Sequence, residues 1–432
     1  MKKNITRRSF MKSAALGAAA MKMSAGAARS YAANDKLDIA FVGMGGMGGT
    51  NYEEMKHQNI VAVCDVDYRR GGRAFRQFEK SGQFTDFRRM LDKMHASIDA
   101  VVISTPDHTH FHPAYMAMDL GKHVYVEKPL AHNVWETRVL TEMAREKGLV
   151  TQLGAQRHAY ENMHRVVELV KSGAIGEVAE VHSWVSSERG MVPPSEEETP
   201  IPDTLDYDLW LGPATIEFPY DPDITPYGWR FFWPFGTGET GNWGCHILDI
   251  PFWALDLDYP THVSATGDEP HPIMTPKNFH ATLDFPAKDD RPPVKLHWYQ
   301  AEGGPPILRE LGLPAAGNTL FIGSDGMLIC GFRERRLLPQ DKFEDFEPPE
   351  PFIPESPGFR NEFINACKGD ETPPTCNFDY TGPLTETVLL ANNAFRVAGE
   401  FDWDHKTMTC KNAPEAQALI RSDYRSGWEV TL

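Results

Sequence analysis

Residues 37–49 have the sequence LDIAFVGMGGMGG, in which an apolar run leads directly into a glycine-rich turn. The run ends at Val42, and the next six residues match the pattern G-x-G-x-x-G. A strand followed by this pattern and a helix is typical of a dinucleotide-binding unit, because the turn brings backbone amides and a helix N-terminus to a pyrophosphate. The residues predicted to bind the dinucleotide here are Gly43, Met44, Gly45, Gly46, Met47 and Gly48.

An acidic residue follows at the distance that such a unit requires. The apolar segment 60–64 ends in Asp65, which lies 22 positions after Gly43. An acid about 20 residues beyond the first glycine holds the ribose hydroxyls of a dinucleotide. Because a carboxylate repels a 2′-phosphate, Asp65 favours NAD over NADP, although Arg69 and Arg70 would weaken that preference. A cap at the strand end is the alternative role for Asp65.

The order of apolar segments predicts an α/β protein with two domains. Between residues 37 and 153, strand-like segments alternate with segments of helical spacing, which predicts a doubly wound parallel sheet. We therefore assign residues 36–155 to a Rossmann domain. After one helix at 159–172, period-two strands dominate, so residues 156–432 are predicted to form an α+β domain with an open, mostly antiparallel sheet. Residues 190–241 are rich in proline and aromatic residues and are predicted to form a functional loop.

The first 32 residues have the features of an export signal. Residues 6–12, TRRSFMK, match a twin-arginine signal, an alanine-rich run follows, and Ser30-Tyr31-Ala32 fits a cleavage site. A disordered basic N-terminus is the alternative. Lys22 and Arg29 interrupt the run, so we expect no membrane insertion after cleavage. A periplasmic protein cannot draw on cytosolic NAD, so we expect the cofactor to be bound tightly and recycled.

Charge and cysteine content exclude other classes of function. The formal net charge is −17 and no basic patch follows the leader, so nucleic acid is not expected as a partner. The six cysteines show no C-x-x-C pair or regular spacing, so no metal site is predicted. An oxidising compartment permits disulfides. Cys367 and Cys376 are the best candidates for a pair, but the sequence leaves this undecided.

Two polar motifs follow predicted parallel strands, at the sheet edge where ligands bind in α/β proteins. Residues 104–110, STPDHTH, follow the strand that ends at Ile103, and Glu127-Lys128-Pro129 follows the strand that ends at Val126. The pKa of a lysine beside a cationic nicotinamide should fall, which suits acid–base work on a substrate hydroxyl. Lys128 is thus a predicted catalytic residue. The neighbours predicted to contact the cofactor are Thr105, Pro106, His110, Glu127, Pro129 and, further along, Gln156. Capping of the next helix is the alternative for His110.

In this order the motifs resemble the glucose–fructose oxidoreductase/inositol dehydrogenase/rhizopine catabolism family, in particular its secreted members. Residues 206–213, DYDLWLGP, and 241–249, GNWGCHILD, extend the resemblance over about residues 36–432. It implies a catalytic role for Lys128 and for His246, which matches the histidine of the family's Asp-x-Gly-x-His motif. Asn242 occupies the aspartate position and cannot carry a proton, so Lys128 and His246 would share proton transfer. Asp249 would orient His246 or pack the helix.

The resemblance also indicates a substrate site. The residues predicted to contact substrate are Arg157, Tyr160, Trp229, Arg230, Asn242 and His246. Packing is the alternative for the tryptophan. The predicted function is oxidation of a sugar or glycoside hydroxyl, typically the 3-hydroxyl, by an NAD-dependent homo-oligomer, a dimer or tetramer. One alternative is an NAD-dependent glycoside hydrolase with an extra base among Tyr160, His158 and Glu239. Another is a non-catalytic sugar-binding protein.

Overall fold

The computed structural model describes residues 36–195, 197–314 and 316–430. The predicted signal peptide and its cleavage site therefore lie outside the described residues. Among the described helices, none combines the length and apolar character needed to cross a membrane.

The N-terminal domain is a doubly wound parallel sheet, as predicted. Its elements are β1 (Asp38–Val42), α1 (Met47–Met55), β2 (Asn59–Cys64), α2 (Tyr68–Gln77), β3 (Gly82–Phe84), α3 (Phe87–Met94), β4 (Ala100–Ile103), α4 (Phe111–Asp119), β5 (His123–Val126), α5 (Val134–Lys147) and β6 (Thr151–Leu153). The strand order is β3-β2-β1-β4-β5-β6, and every neighbouring pair is parallel. The order reverses between β1 and β4, and the loops that follow these strands border a crevice there.

The C-terminal domain carries a mostly antiparallel sheet, which confirms the second part of the predicted fold. Its elements are α6 (Glu161–Lys171), β7 (Val178–Val185), α7 (Tyr207–Leu211), α8 (Gly238–Ile247), α9 (Asp249–Leu255), β8 (His262–Gly267), β9 (Phe279–Phe285), β10 (Val294–Gln300), α10 (Pro306–Glu310), β11 (Thr319–Gly323), β12 (Gly326–Cys330), β13 (Arg335–Leu338), α11 (Phe359–Cys367), α12 (Phe378–Arg396), β14 (Glu400–Asp404), β15 (Thr409–Lys411) and α13 (Pro414–Ala418). The strand order is β13-β12-β11-β7-β10-β9-β8-β14-β15. Of the pairs in the described residues, β7 and β10 are parallel and the rest are antiparallel.

Helix α12 covers one face of this sheet and also packs on α5 of the Rossmann domain. Buried and half-exposed residues alternate along β9, so its apolar side chains face the helix and the others face away. Between the two helices, Arg138 donates to Glu386 at 2.7 and 2.8 Å, and both side chains are buried. This ion pair therefore connects the two domains inside the core.

Three features differ from the sequence-based expectations. Residues 190–241 contain α7 and a 3-10 turn (Gly228–Phe231), and their aromatic residues form a separate buried cluster, so the segment is not simply an irregular loop. The short strands β3, β13, β14 and β15 were not predicted, because three to five residues carry too little periodicity. All six cysteines lie within the described residues and are free and buried, so Cys367 and Cys376 do not form a disulfide here.

Candidate active site

The glycine-rich loop connects β1 to α1 and packs closely against backbone atoms of the neighbouring strand end and of the loop itself. Gly43 has a φ of +83°, which favours glycine, and its N–H donates to the carbonyl of Cys64 at 2.9 Å. A Cβ on Gly48 would lie 2.1 Å from the carbonyl oxygen of Gly43. The third glycine thus permits a close approach of helix and strand.

Asp65 lies beside this loop at the end of β2. Its Oδ2 accepts the N–H of Met44 at 2.8 Å, and its Oδ1 accepts the N–H of Asp67 at 2.9 Å. Burial raises the pKa of Asp65 to about 6, against these two backbone hydrogen bonds, which lower it. Each carboxylate oxygen can accept a further hydrogen bond. The side chain therefore lines the cleft and still offers acceptors for ribose hydroxyls.

The far end of the cleft contains Arg70, which the sequence analysis named, and two aromatic residues that it did not identify. The guanidinium of Arg70 lies over the loop, since a Cβ on Gly45 would meet its Nε at 2.8 Å. Phe87 and Trp428 also line the cleft, with ring centroids 6.0 Å apart. Trp428 lies near the C-terminus, 385 positions after Gly43, and no local signal connects it to the nucleotide site.

Lys128 lies at the other end of the cleft, at the end of β5. Its ammonium donates to the backbone carbonyl and to the side-chain Oδ1 of Asn242, each at 2.8 Å. The Asn242 amide nitrogen donates in turn to Oε2 of Glu239 at 2.9 Å. Glu239 is fully buried and also accepts hydrogen bonds from Ser187 and Arg189. One helix, α8, thus connects the lysine through an amide to a buried carboxylate.

This network explains how asparagine fits at the family's aspartate position. The amide presents an oxygen to the ammonium and an N–H to the carboxylate, and an aspartate could make only the first contact. The negative charge is not lost, because Glu239 carries it one helical turn earlier. Glu239, considered before only as an alternative base, is therefore part of the lysine network.

Burial lowers the pKa of Lys128, and the nearby guanidinium of Arg230 lowers it further, whereas Glu127 raises it. The Lys128–Pro129 peptide is cis. Arg230 and Trp229 both line the cleft on the 3-10 turn, with the guanidinium 4.2 Å from the centroid of the tryptophan ring. These two predicted substrate residues thus lie near Lys128.

His246 is buried one helical turn after Asn242 on α8. Burial, assisted by the charges of Lys128 and Arg157, moves its pKa well below the usual value, so the ring is neutral at pH 7. Its Nδ1 is buried and has no partner in the described protein. Asp249 does not orient this ring, because its carboxylate binds His158 at 3.0 Å and the hydroxyl of Tyr380 at 2.6 Å. The cleft lining does not include His158, one of the candidate bases.

The start of the second domain places two polar groups near His246. The Arg157 guanidinium lies 4.5 Å from the centroid of the Trp243 ring and 4.4 Å from that of Phe332. Its Nη1 and the Oε1 of Gln156 are buried without a partner in the described protein. Tyr160 is half-buried beside Arg157. Burial lowers the pKa of Arg157, and the nearby Tyr160 hydroxyl opposes that shift. Unpaired buried polar atoms are costly, so their presence here indicates a position where a ligand would bind.

The cleft does not include every predicted residue. The predicted residues that line it are Gly43, Gly45, Gly46, Met47, Asp65, Thr105, Pro106, Glu127, Lys128, Trp229, Arg230 and Asn242. The lining does not include Met44, Gly48, His110, Pro129, Gln156, Arg157, Tyr160 and His246. The ring nitrogens of His110 lie 2.7 Å from the carbonyl oxygen of Pro129 and 2.8 Å from that of Thr105. This histidine connects two cleft loops and does not cap the helix with its side chain.

The described residues fit a dinucleotide. Three glycines of the loop, Gly43, Gly45 and Gly46, line one end of the cleft, and the unpaired Oε2 of Glu127 lies buried at the opposite end. Together with the strand order, these features define a two-domain dinucleotide-dependent protein. The sequence agrees: residues 37–155 match a model of an oxidoreductase family with an NAD-binding Rossmann fold, and residues 174–277 match the C-terminal α/β domain of that family. The chain belongs to the glucose–fructose oxidoreductase/inositol dehydrogenase/rhizopine catabolism family of NAD-binding oxidoreductases.

Individual relatives resemble parts of the chain. Inositol 2-dehydrogenase of Rubrobacter xylanophilus is 34% identical over 158 residues, which are 35% of this chain and 44% of that protein. The 2,7-anhydro-N-acetylneuraminate hydratase of Escherichia coli is 25% identical over 34% of this chain and 39% of its own length. The chain thus spans less than half the length of these curated relatives.

Solved structures show the same fold over nearly the whole chain. The WlbA dehydrogenase of Bordetella pertussis, solved with NADH and UDP-GlcNAcA, has a TM-score of 0.60 at 17% identity, covering 85% of this chain and 99% of its own. An inositol dehydrogenase homologue of Azotobacter vinelandii, solved with NADH and myo-inositol, has a TM-score of 0.55 at 16% identity, covering 86% and 98%. Because these identities are low, the likeness concerns the fold.

Proposed function

We propose that this protein is a periplasmic oxidoreductase that oxidises a hydroxyl of a sugar or glycoside, at the 3-position, with a tightly bound NAD. The cofactor is recycled within the site when its hydride passes to a second sugar or another acceptor. The observation that carries this proposal is the contact of Lys128 with Asn242 and, through it, with Glu239 at the inner end of the cleft. One relative is named inositol 2-dehydrogenase, and one similar structure was solved with a nucleotide sugar. Both observations support a polyhydroxylated substrate.

The chemistry that the cofactor supplies when bound is acceptance and return of a hydride. The protein must then remove a proton from the reacting hydroxyl. Lys128 is suited to accept that proton, because its lowered pKa increases the population of free amine near neutral pH. Asn242 holds the amine in position, and the neutral ring of His246 offers a second site for proton exchange. Arg230 and Trp229 provide a cation and an aromatic face for a sugar ring.

The predicted export signal is the reason for proposing that NAD is bound tightly and recycled. Tight binding is tested by denaturing the purified protein and quantifying NAD in the supernatant. One NAD released per chain is the expected result, and release of none contradicts tight binding. Export is tested by fractionation of cells with and without a twin-arginine translocon, where loss of the periplasmic protein in the deficient cells is expected.

A second candidate is a glycoside hydrolase that uses transient oxidation, elimination, addition of water and re-reduction. Hydratase relatives in Escherichia coli and Mediterraneibacter gnavus favour it, since their reaction is named for the addition of water. Such a reaction needs a further base, and Glu239 supplies a carboxylate within the Lys128 network.

Mass spectrometry of products from a glycoside panel distinguishes these candidates. A loss of two daltons indicates oxidation, whereas cleavage without net redox change indicates the hydrolase. Lys128→Met is expected to abolish either activity and to retain the bound NAD. The matched control is Lys171→Met on α6, because that ammonium forms a surface ion pair with Asp256 at 2.8 Å. Unchanged turnover in Lys128→Met would refute the proposed role of the lysine.

A further inference from the structure

A second group of histidine and carboxylate side chains lies away from the cleft, on the sheet face opposite α12. Glu180 and His182 are two positions apart on β7 and therefore face the same side. His297 on the neighbouring strand β10 pairs in register with His182. The sequence separates these histidines by 115 residues, so only the pairing of β7 with β10 brings them together.

Two of the three distances in this group are close to those between the ligands of a tetrahedral metal ion. One ligand atom from each of Glu180, His182 and His297 lies within 4.8 Å of the others. Oε1 of Glu180 is 2.9 Å from Nε2 of His182 and 3.5 Å from Nε2 of His297. Ligands held about 2.0–2.1 Å from a tetrahedral zinc ion are about 3.3–3.4 Å apart. The two distances lie on either side of that value. The rings of His182 and His297 are stacked, with centroids 4.6 Å apart and planes at 11°, so one ring must rotate before both ring nitrogens face the same ion.

The remaining ring nitrogens have partners of the kind that support metal ligands. Nδ1 of His182 lies 3.1 Å from the hydroxyl of Tyr299. Nδ1 of His297 lies 3.1 Å from the hydroxyl of Thr282 and 3.2 Å from Nε2 of His280. Metal-bound histidines usually use the second nitrogen in this way, which fixes the ring orientation and leaves Nε2 free to bind the ion.

Burial and exposure in the group favour a metal over an ordinary ion pair. The side chains of His182 and His297 are 5% and 13% exposed, whereas that of Glu180 is 43% exposed. The exposed carboxylate provides both a negative charge and a path of entry from solvent.

We propose that Glu180, His182 and His297 form a binding site for a zinc-class divalent cation, with water at the fourth position. Two imidazoles and one carboxylate are a ligand set that zinc uses in proteins with three protein ligands and a water. Imidazole ligands also disfavour Mg²⁺ and Ca²⁺, which prefer oxygen. The site is independent of the cleft and of the reaction proposed there.

The test is zinc binding to the full chain with its NAD, after removal of metals, measured by competition with a chromophoric chelator. One zinc per chain is expected, with X-ray absorption showing two nitrogen ligands at about 2.0–2.1 Å. Glu180→Gln and His297→Gln should each weaken binding by more than about 100-fold, because loss of a ligand exceeds the 10–100-fold loss for a supporting residue. Thr282→Ala should weaken it by about 10-fold.

The control is His262→Gln on β8, whose ring pairs with Asp402 at 2.9 Å and lies 3.8 Å from Glu400 on the same sheet. This variant should bind zinc like the wild type. Thermal unfolding without zinc checks that each variant folds. Because Glu180 is partly exposed, Glu180→Gln keeps the test valid if His297→Gln fails to fold. Absence of one-to-one binding, or equal affinity in Glu180→Gln, would overturn the proposal.

Discussion

Replacing Asn242 with aspartate tests the network around Lys128 most directly. The family's aspartate would be restored, yet in this chain the new carboxylate would face the carboxylate of Glu239. The amide nitrogen that it replaces donates to that residue at 2.9 Å. We therefore expect Asn242→Asp to destabilise the protein, although it restores the residue type expected from the family.

The size of this destabilisation follows from two charge interactions of nearly equal strength. Two unit charges 2.9 Å apart repel each other by about 6 kcal/mol at an effective dielectric constant of about 20. The attraction of the new carboxylate to the Lys128 ammonium, at the present 2.8 Å, is also about 6 kcal/mol. These contributions cancel, so the loss of the hydrogen bond to a charged acceptor remains, worth ~1.5–3 kcal/mol. The expected decrease in the free energy of unfolding is thus about 2 kcal/mol.

A double-mutant cycle with Glu239→Gln measures this quantity by chemical denaturation. In the double variant the new amide can donate to the new carboxylate, so a coupling free energy of about 2 kcal/mol is expected. Asn361→Asp, at an exposed position of α11, is the matched control and should change stability by less than about 0.5 kcal/mol. A coupling near zero would refute the assignment of Asn242 as the bridge.

The pH dependence of kcat/KM gives a second measure of the same change. If the free amine of Lys128 is the base, kcat/KM for oxidation rises with pH up to the pKa of the lysine. Burial and Arg230 lower this pKa in the wild type. The negative charge in Asn242→Asp should raise it, and each unit of increase lowers the deprotonated fraction at pH 7 about tenfold. A profile that moves to lower pH would contradict the role of Lys128 as base.

Two further predictions concern the fold around the cleft. Gly48→Ala should abolish retention of NAD and lower the melting temperature, because the added Cβ would lie 2.1 Å from the carbonyl oxygen of Gly43; NAD content after purification measures the first effect. Glu386→Ala should lower the free energy of unfolding by ~3–5 kcal/mol, because it leaves the buried charge of Arg138 unpaired. Asp379→Ala, which removes an exposed ion pair between the same two helices, should cost less than ~1 kcal/mol, and equal losses in the two variants would refute this reasoning.

Local patterns predicted the N-terminal half of the site well. The glycine loop, Asp65 and the Glu127-Lys128-Pro129 segment each follow an apolar strand, and a parallel sheet brings strand ends to one edge. The predicted orientation of His246 by Asp249 was wrong, because spacing on a helix does not show that His158 and Tyr380 already bind the carboxylate. The sequence likewise could not place Trp428 in the cleft, since that contact depends on the path of the C-terminal segment.

The sequence by itself determined the sheet type, the class of cofactor and the candidate base Lys128, because those follow from periodicity and from residues adjacent in the chain. Only the tertiary structure decided what the base contacts. Asn242 and Glu239 lie more than 100 positions away from Lys128, and packing of α8 against the end of β5 connects them. The same holds for Glu180, His182 and His297. Cysteine spacing predicted no metal site, whereas strand pairing places these three ligands within 4.8 Å of one another. Interactions between distant segments depend on how sheets and helices pack, and no local pattern records that.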